Sequence, residues 1–177
     1  MDTYIKQTQC WLDSVIIEHN ICPFAKKERD KGGIFFCVDE HHEISQALEN
    51  LLLECERLDI QPEIETTLFI LAHLCQDFND YLDFLAIANQ LLIEQDYEGV
   101  YQLASFHPDY CFADSDEDDP ANYTNRSPYP TLHLIREKSL ENALKSYPNP
   151  EQIPERNIEY CHSLGLKKMQ TMLAKCQ

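Results

Sequence analysis

Between Thr3 and His19, apolar side chains recur at Ile5, Leu12, Val15 and Ile16, the spacing of one helix face, and Cys22-Pro23 ends the pattern. Gly32-Gly33 then turns the chain into Ile34-Phe35-Phe36-Cys37-Val38, an apolar run of strand length. Ile44, Ala47, Leu48, Leu51, Leu52, Cys55 and Leu58 return to helical spacing and mark a second amphipathic helix. Thr67 to His73 is continuously apolar and β-rich, as in an interior strand covered on both faces, and Leu82, Leu85, Asn89, Leu92 and Ile93 carry the next helix. Val100 to Phe106 and Thr131 to Arg136 read as a third and a fourth strand. Glu137 to Tyr147 reads as a helix stopped by Pro148-Asn149-Pro150. After Pro154 comes a final helical segment broken by Gly165, with Ile158, Cys161, Met169 and Leu173 on its apolar side.

The predicted order is α-βα-βα-ββ-αα. Strands alternating with helices imply an α/β fold, a single layered domain over residues 1–177 with a mixed, mainly parallel sheet of about four strands flanked by helices. The consecutive third and fourth strands predict an antiparallel edge. An apolar content of 44% is enough for one continuous core.

Charge narrows the partners. Asp and Glu outnumber Lys and Arg by 31 to 14, a net charge of -17, which repels phosphate backbones and anionic lipid surfaces. No nucleic acid and no membrane partner is expected, and no apolar run is long enough to span a bilayer. The N-terminus, with Asp2 and Lys6 early and no unbroken apolar stretch, does not read as a secretory signal. The eight cysteines, none in a C-x-x-C pair, therefore read as reduced thiols of a cytoplasmic protein.

The connection between the third and fourth strands is far longer than hairpin loops usually are, and it carries the densest chemistry. It runs from His107-Pro108-Asp109-Tyr110-Cys111-Phe112 through an acidic stretch to Asn122-Tyr123-Thr124-Asn125-Arg126-Ser127-Pro128-Tyr129-Pro130. One expectation is a pocket for a small anionic ligand under this loop, at the C-terminal edge of the third strand. Arg126, Arg136 and Arg156 would supply guanidinium forks, Asn122, Asn125 and Ser127 would orient the ligand, and His107 and His133 would be the catalytic acid or base. The bland alternative is that each arginine pairs with nearby acids and the loop is held by its own turns.

A second reading is a metal site formed by His107, Asp109, Cys111 and His133, with Cys22 as an outside candidate, although no short-spaced ligand pair anchors it. Asp114, Asp116 and Asp118 have the opening spacing of an EF-hand, but Asp119 and Asn125 occupy the positions of its glycine and its bidentate glutamate. Cys22 as a nucleophile is disfavoured by its place after a helix C-terminus, and His41, His42, His73 and His162 read as capping or core residues. A third reading is a protein–protein interaction module with no catalysis, docking through the acidic surface or the apolar side of the tail at Leu166, Met169, Met172 and Leu173. No Gly-rich phosphate loop occurs, and neither cofactor nor oligomeric state is legible.

Cys22-Pro23-Phe24, Gln102 through Tyr110, Asn122 through Pro130 continuing into His133-Leu134-Ile135-Arg136-Glu137, and Ile153-Pro154-Glu155-Arg156-Asn157-Ile158 together resemble the uncharacterised bacterial proteins grouped as domain of unknown function 1415. The resemblance runs essentially from end to end. It implies no particular activity, cofactor or catalytic residue.

Overall fold

The computed structural model describes residues 2–177 and places four strands in one sheet, in the order β1-β2-β4-β3. These are β1 (Ile34–Asp39), β2 (Thr66–Leu71), β3 (Tyr101–Phe106) and β4 (Thr131–Arg136). β1 pairs with β2 in parallel, whereas β4 is antiparallel to both β2 and β3. The mixed α/β class and the four strands match expectation, but the sheet is not mainly parallel. The long 107–130 connection lets β4 insert between β2 and β3, so the antiparallel strand is interior and both of its ladders are antiparallel.

The helices also depart from the predicted order. α1 (Asp2–Trp11) runs into a π-helical turn, Leu12–Ile17, where Glu18 N–H reaches the Asp13 carbonyl at 3.0 Å. An unforeseen α2 (Ala25–Lys31) precedes β1 and buries none of its residues, so it left no apolar periodicity to read. Charge pairs hold it: Lys26 with Asp30 at 2.7 Å, and Arg29 with Asp13 at 2.9 Å. α3 (Ile44–Ile60) follows β1, and α4 (Phe78–Glu94) follows β2, capped by the Asp77 carboxylate, which accepts from the N–H groups of Asn79 and Asp80. After β4 come α5 (Glu137–Ser146), α6 (Ile153–Leu164) and α7 (Leu166–Ala174). Gly165, at φ 77°, separates the last two.

Side chains alternate across a strand, which divides the core into two layers. Phe69 and Leu71 of β2 and Leu132 and Leu134 of β4 meet Ala47, Leu51, Cys55 and Leu58 of α3 and Tyr81, Phe84, Ala88 and Leu92 of α4. On the opposite face, Leu68 joins Trp11, Leu12, Val15 and Ile16 with Cys161, Met169, Met172 and Leu173. β2 is buried along its whole length, as its continuous apolar run implied. The apolar side of the tail likewise packs inward, with Met169, Met172 and Leu173 buried. The Tyr81 hydroxyl ties α4 to the sheet, donating to the Thr131 carbonyl of β4 at 2.8 Å and accepting from Phe106 N–H of β3 at 3.1 Å. Among the described residues no helix is long and apolar enough to cross a membrane.

Candidate functional site: an apolar cavity with one unpaired imidazole nitrogen

A cavity of about 630 Å³ lies on the α1 face of the sheet. Its floor follows the two-residue period: Ile34 of β1, Thr66 and Leu68 of β2, His133 and Ile135 of β4, and Phe106 of β3. Trp11, Leu12 and Ile16 form one wall, with the Cys22-Pro23-Phe24 turn beside them. α5 forms the other side through Leu140, Ala143 and the adjoining Tyr147. Phe24 and Tyr147 meet edge-on with ring centroids 5.5 Å apart. α5 is amphipathic yet buries none of its residues, because its apolar face is turned to the cavity instead of to protein. Lys27, Glu28, Lys31 and Glu65 contribute the charged part of the lining.

His133 is the polar centre of this surface. The Thr66 hydroxyl donates to the Leu134 carbonyl at 2.5 Å, so its oxygen accepts from His133 Nε2–H at 2.7 Å, which fixes the tautomer. Nδ1 has no hydrogen-bond partner among the described residues and is not sealed within protein. Burial among apolar groups pushes the His133 pKa down to about 4, so at neutral pH the ring is uncharged and Nδ1 offers the cavity a lone pair that can accept a hydrogen bond. Cys22 lines the same cavity. It follows the end of the first helix, as expected, but also precedes α2; N–H groups of Phe24 and Ala25 favour its thiolate, but the larger effect of burial pushes its pKa up and keeps it a thiol.

The other residues anticipated from sequence sit elsewhere and bind the 107–130 loop to itself and to the sheet. His107 is fully buried against Phe78 and Tyr81, on the α4 side, with Nε2–H donating to the Cys75 carbonyl at 3.0 Å and Nδ1 accepting from Asp109 N–H at 3.0 Å. Burial lowers its pKa. Asn125 donates to the Ser105 carbonyl, and the Ser127 hydroxyl to that of Tyr129. Arg126 donates to the carbonyls of Tyr110 and Glu117 and lies over the Tyr123 ring at 4.7 Å. Arg136 donates to the carbonyls of Leu58 and Ile64, closing the end of α3. Arg156 donates to the Asn20 carbonyl and the Asn157 side chain. These guanidinium groups thus engage carbonyls and aromatic rings where the sequence suggested either an anion or acidic partners.

Asn122, fully buried, accepts from Phe112 N–H at 3.1 Å and donates to the Asp116 carbonyl at 2.8 Å. Asn122→Ala should strand these groups and destabilise the fold by about 2 kcal/mol, with new proteolytic cleavage at 111–119. A thermal melt and limited digestion of the variant check this.

His107, facing α4, and His133, facing the cavity, look out from opposite sides of the sheet. Cys111 bonds within its own loop, to the Ser115 carbonyl. Among the described residues no three His, Cys, Asp or Glu side chains gather in a geometry that could hold a metal ion, so the set His107, Asp109, Cys111 and His133 does not assemble. At the far end of β1, buried Asp39 accepts from His41 Nδ1 at 2.7 Å and from Asn50 at 2.8 Å, while the rings of His42 and His73 stack 4.4 Å apart.

Of the residues singled out from sequence, His133 and Cys22 line the cavity, whereas Thr66, Trp11, Phe24, Leu140 and Ala143 were not anticipated there. The available signal was the apolar face of the 137–147 helix. No curated protein and no solved structure matches the chain. A family model described as a protein of unknown function, DUF1415, matches residues 3–171, nearly the whole sequence, and the chain belongs to that family.

Proposed function

We propose that the chain is a cytoplasmic binding protein for a small, largely apolar molecule that donates one hydrogen bond to His133 Nδ1 and keeps its polar end among Lys27, Glu28, Lys31 and Glu65. The observation that carries this reading is the cavity itself. Protein interiors are close-packed, and about 630 Å³ of apolar-lined space falls in the size range of ligand pockets. The unpaired Nδ1 supplies an oriented polar contact of the kind such pockets use for specificity. Binding is favoured over turnover, because a histidine held near pKa 4 is a weak base at neutral pH and Cys22 is held as a thiol. The strongly acidic composition supports a small molecule over a nucleic acid.

Calorimetric titration with benzene and with phenol tests the reading. Both should bind with a negative heat-capacity change, and phenol about tenfold more tightly, the worth of one added hydrogen bond. Ala143→Phe, which fills the cavity from α5, should abolish binding of both while the protein stays folded. Unchanged binding by that variant, or no binding by the wild type, would refute the proposal.

A further inference from the structure

α1 and the end of the chain meet at a pair of thiols that the cavity does not use. Cys10 Sγ, in α1, lies 2.8 Å from Cys176 Sγ, just beyond α7, although the two residues are 166 positions apart in sequence. Two unbonded sulfur atoms rest farther apart than this, so the packing of α7 and the π-helical turn holds these side chains within reach of a bond. Ser14 sits beside the pair. Its hydroxyl donates to the Cys10 carbonyl at 2.7 Å and lies 3.3 Å from Cys176 Sγ, where its oxygen can accept from the thiol. Cys176 is buried among Met172, Leu173 and Trp11, whereas Cys10 is partly exposed. The pair therefore has one member that a reagent can reach and one that only its neighbour can reach.

We propose that Cys10 and Cys176 form a reversible disulfide when the chain meets a low-molecular-weight disulfide such as oxidised glutathione. Cys10, as thiolate, attacks one sulfur of the small disulfide, breaking its S–S bond and releasing one glutathione thiolate. Cys176 then loses its proton and attacks Cys10 Sγ, the new bond forming as the second glutathione leaves. The chain gives up two protons and two electrons, and one small disulfide is reduced to two thiols. The product closes a ring through almost the entire chain and fastens α7 to the helix that continues into the cavity wall at Trp11, Leu12 and Ile16. The site is independent of what the cavity binds. Transient, redox-responsive disulfides of this kind are the ones found in reducing compartments.

The test is to incubate the reduced, folded full-length chain with oxidised glutathione, alkylate the remaining thiols after denaturation, and measure the intact mass and the proteolytic map. The expected result is loss of two hydrogens, no retained glutathione, six alkylated cysteines of the eight, and a cross-linked peptide joining residues 10 and 176. Dithiothreitol should reverse it. Cys176→Ser should instead accumulate a glutathione adduct on Cys10. A wild-type chain that keeps glutathione on Cys10, pairs Cys10 with another cysteine, or ends with all eight cysteines alkylated would overturn the proposal.

Discussion

Lowering the pH from 6.5 to 4 should remove about 3 kcal/mol of stability from the wild-type chain that a His133→Phe variant keeps. The sign follows from the ring's surroundings. In the unfolded chain the imidazole takes up a proton as pH falls through about 6.5, whereas in the folded chain apolar burial delays protonation until about 4. Within that window the unfolded state binds more protons, so stability is full above 6.5, declines as pH falls, and levels off below 4. His107, whose pKa is also lowered by burial, adds to the decline in both proteins, and the difference between them isolates His133. Urea unfolding at pH 7 and pH 4 measures it. Parallel losses in the two proteins would show that His133 is not held as a neutral ring.

Arg57→Leu should cost about 3–4 kcal/mol, more than a surface ion pair is worth, because its partner is buried. Glu54 is 1% exposed on α3, and Arg57 Nε lies 3.1 Å from both of its carboxylate oxygens. The guanidinium also covers the Phe35 ring at 4.4 Å, and the Thr67 hydroxyl donates to Glu54 at 3.4 Å. Removing Arg57 leaves a carboxylate desolvated and without its counter-charge. The double variant Glu54→Leu/Arg57→Leu removes both charges and should recover most of the loss. Chemical denaturation of the two single variants and the double variant measures this. A double variant as unstable as Arg57→Leu would contradict it.

The strands were legible because burial writes itself into sequence as period: β2 is buried along its whole length and is apolar from Leu68 to Leu71, and β4 matches its predicted bounds. The antiparallel pairing of β3 with β4 was legible, but the insertion of β4 between β2 and β3 was not. It depends on where the 107–130 loop lands, and that is set by contacts such as Asn125 to the Ser105 carbonyl and Asn122 to Asp116, which join residues with no shared pattern. The same contacts explain why the loop looked like a binding site. Asn, Arg and Ser side chains that organise irregular backbone are the types that also grip ligands, and sequence does not say whether their partner is a carbonyl or an anion. The cavity was hidden for a different reason. Its walls include ordinary core residues such as Trp11, Leu12 and Leu68, and a space between side chains has no residue of its own. Of the residues singled out from sequence, His133 and Cys22 line the cavity, His133 because it alternates with Leu132 and Leu134 onto the opposite face of β4.

The most direct test is ¹⁵N NMR of the His133 imidazole in the wild-type chain at neutral pH, before and after addition of phenol. The free protein should show a neutral ring protonated at Nε2, and phenol should shift the Nδ1 resonance while Ala143→Phe suppresses the change. A His133 ring that is protonated at neutral pH, or whose Nδ1 resonance does not respond to any donor-bearing apolar probe, would contradict the cavity as the binding site.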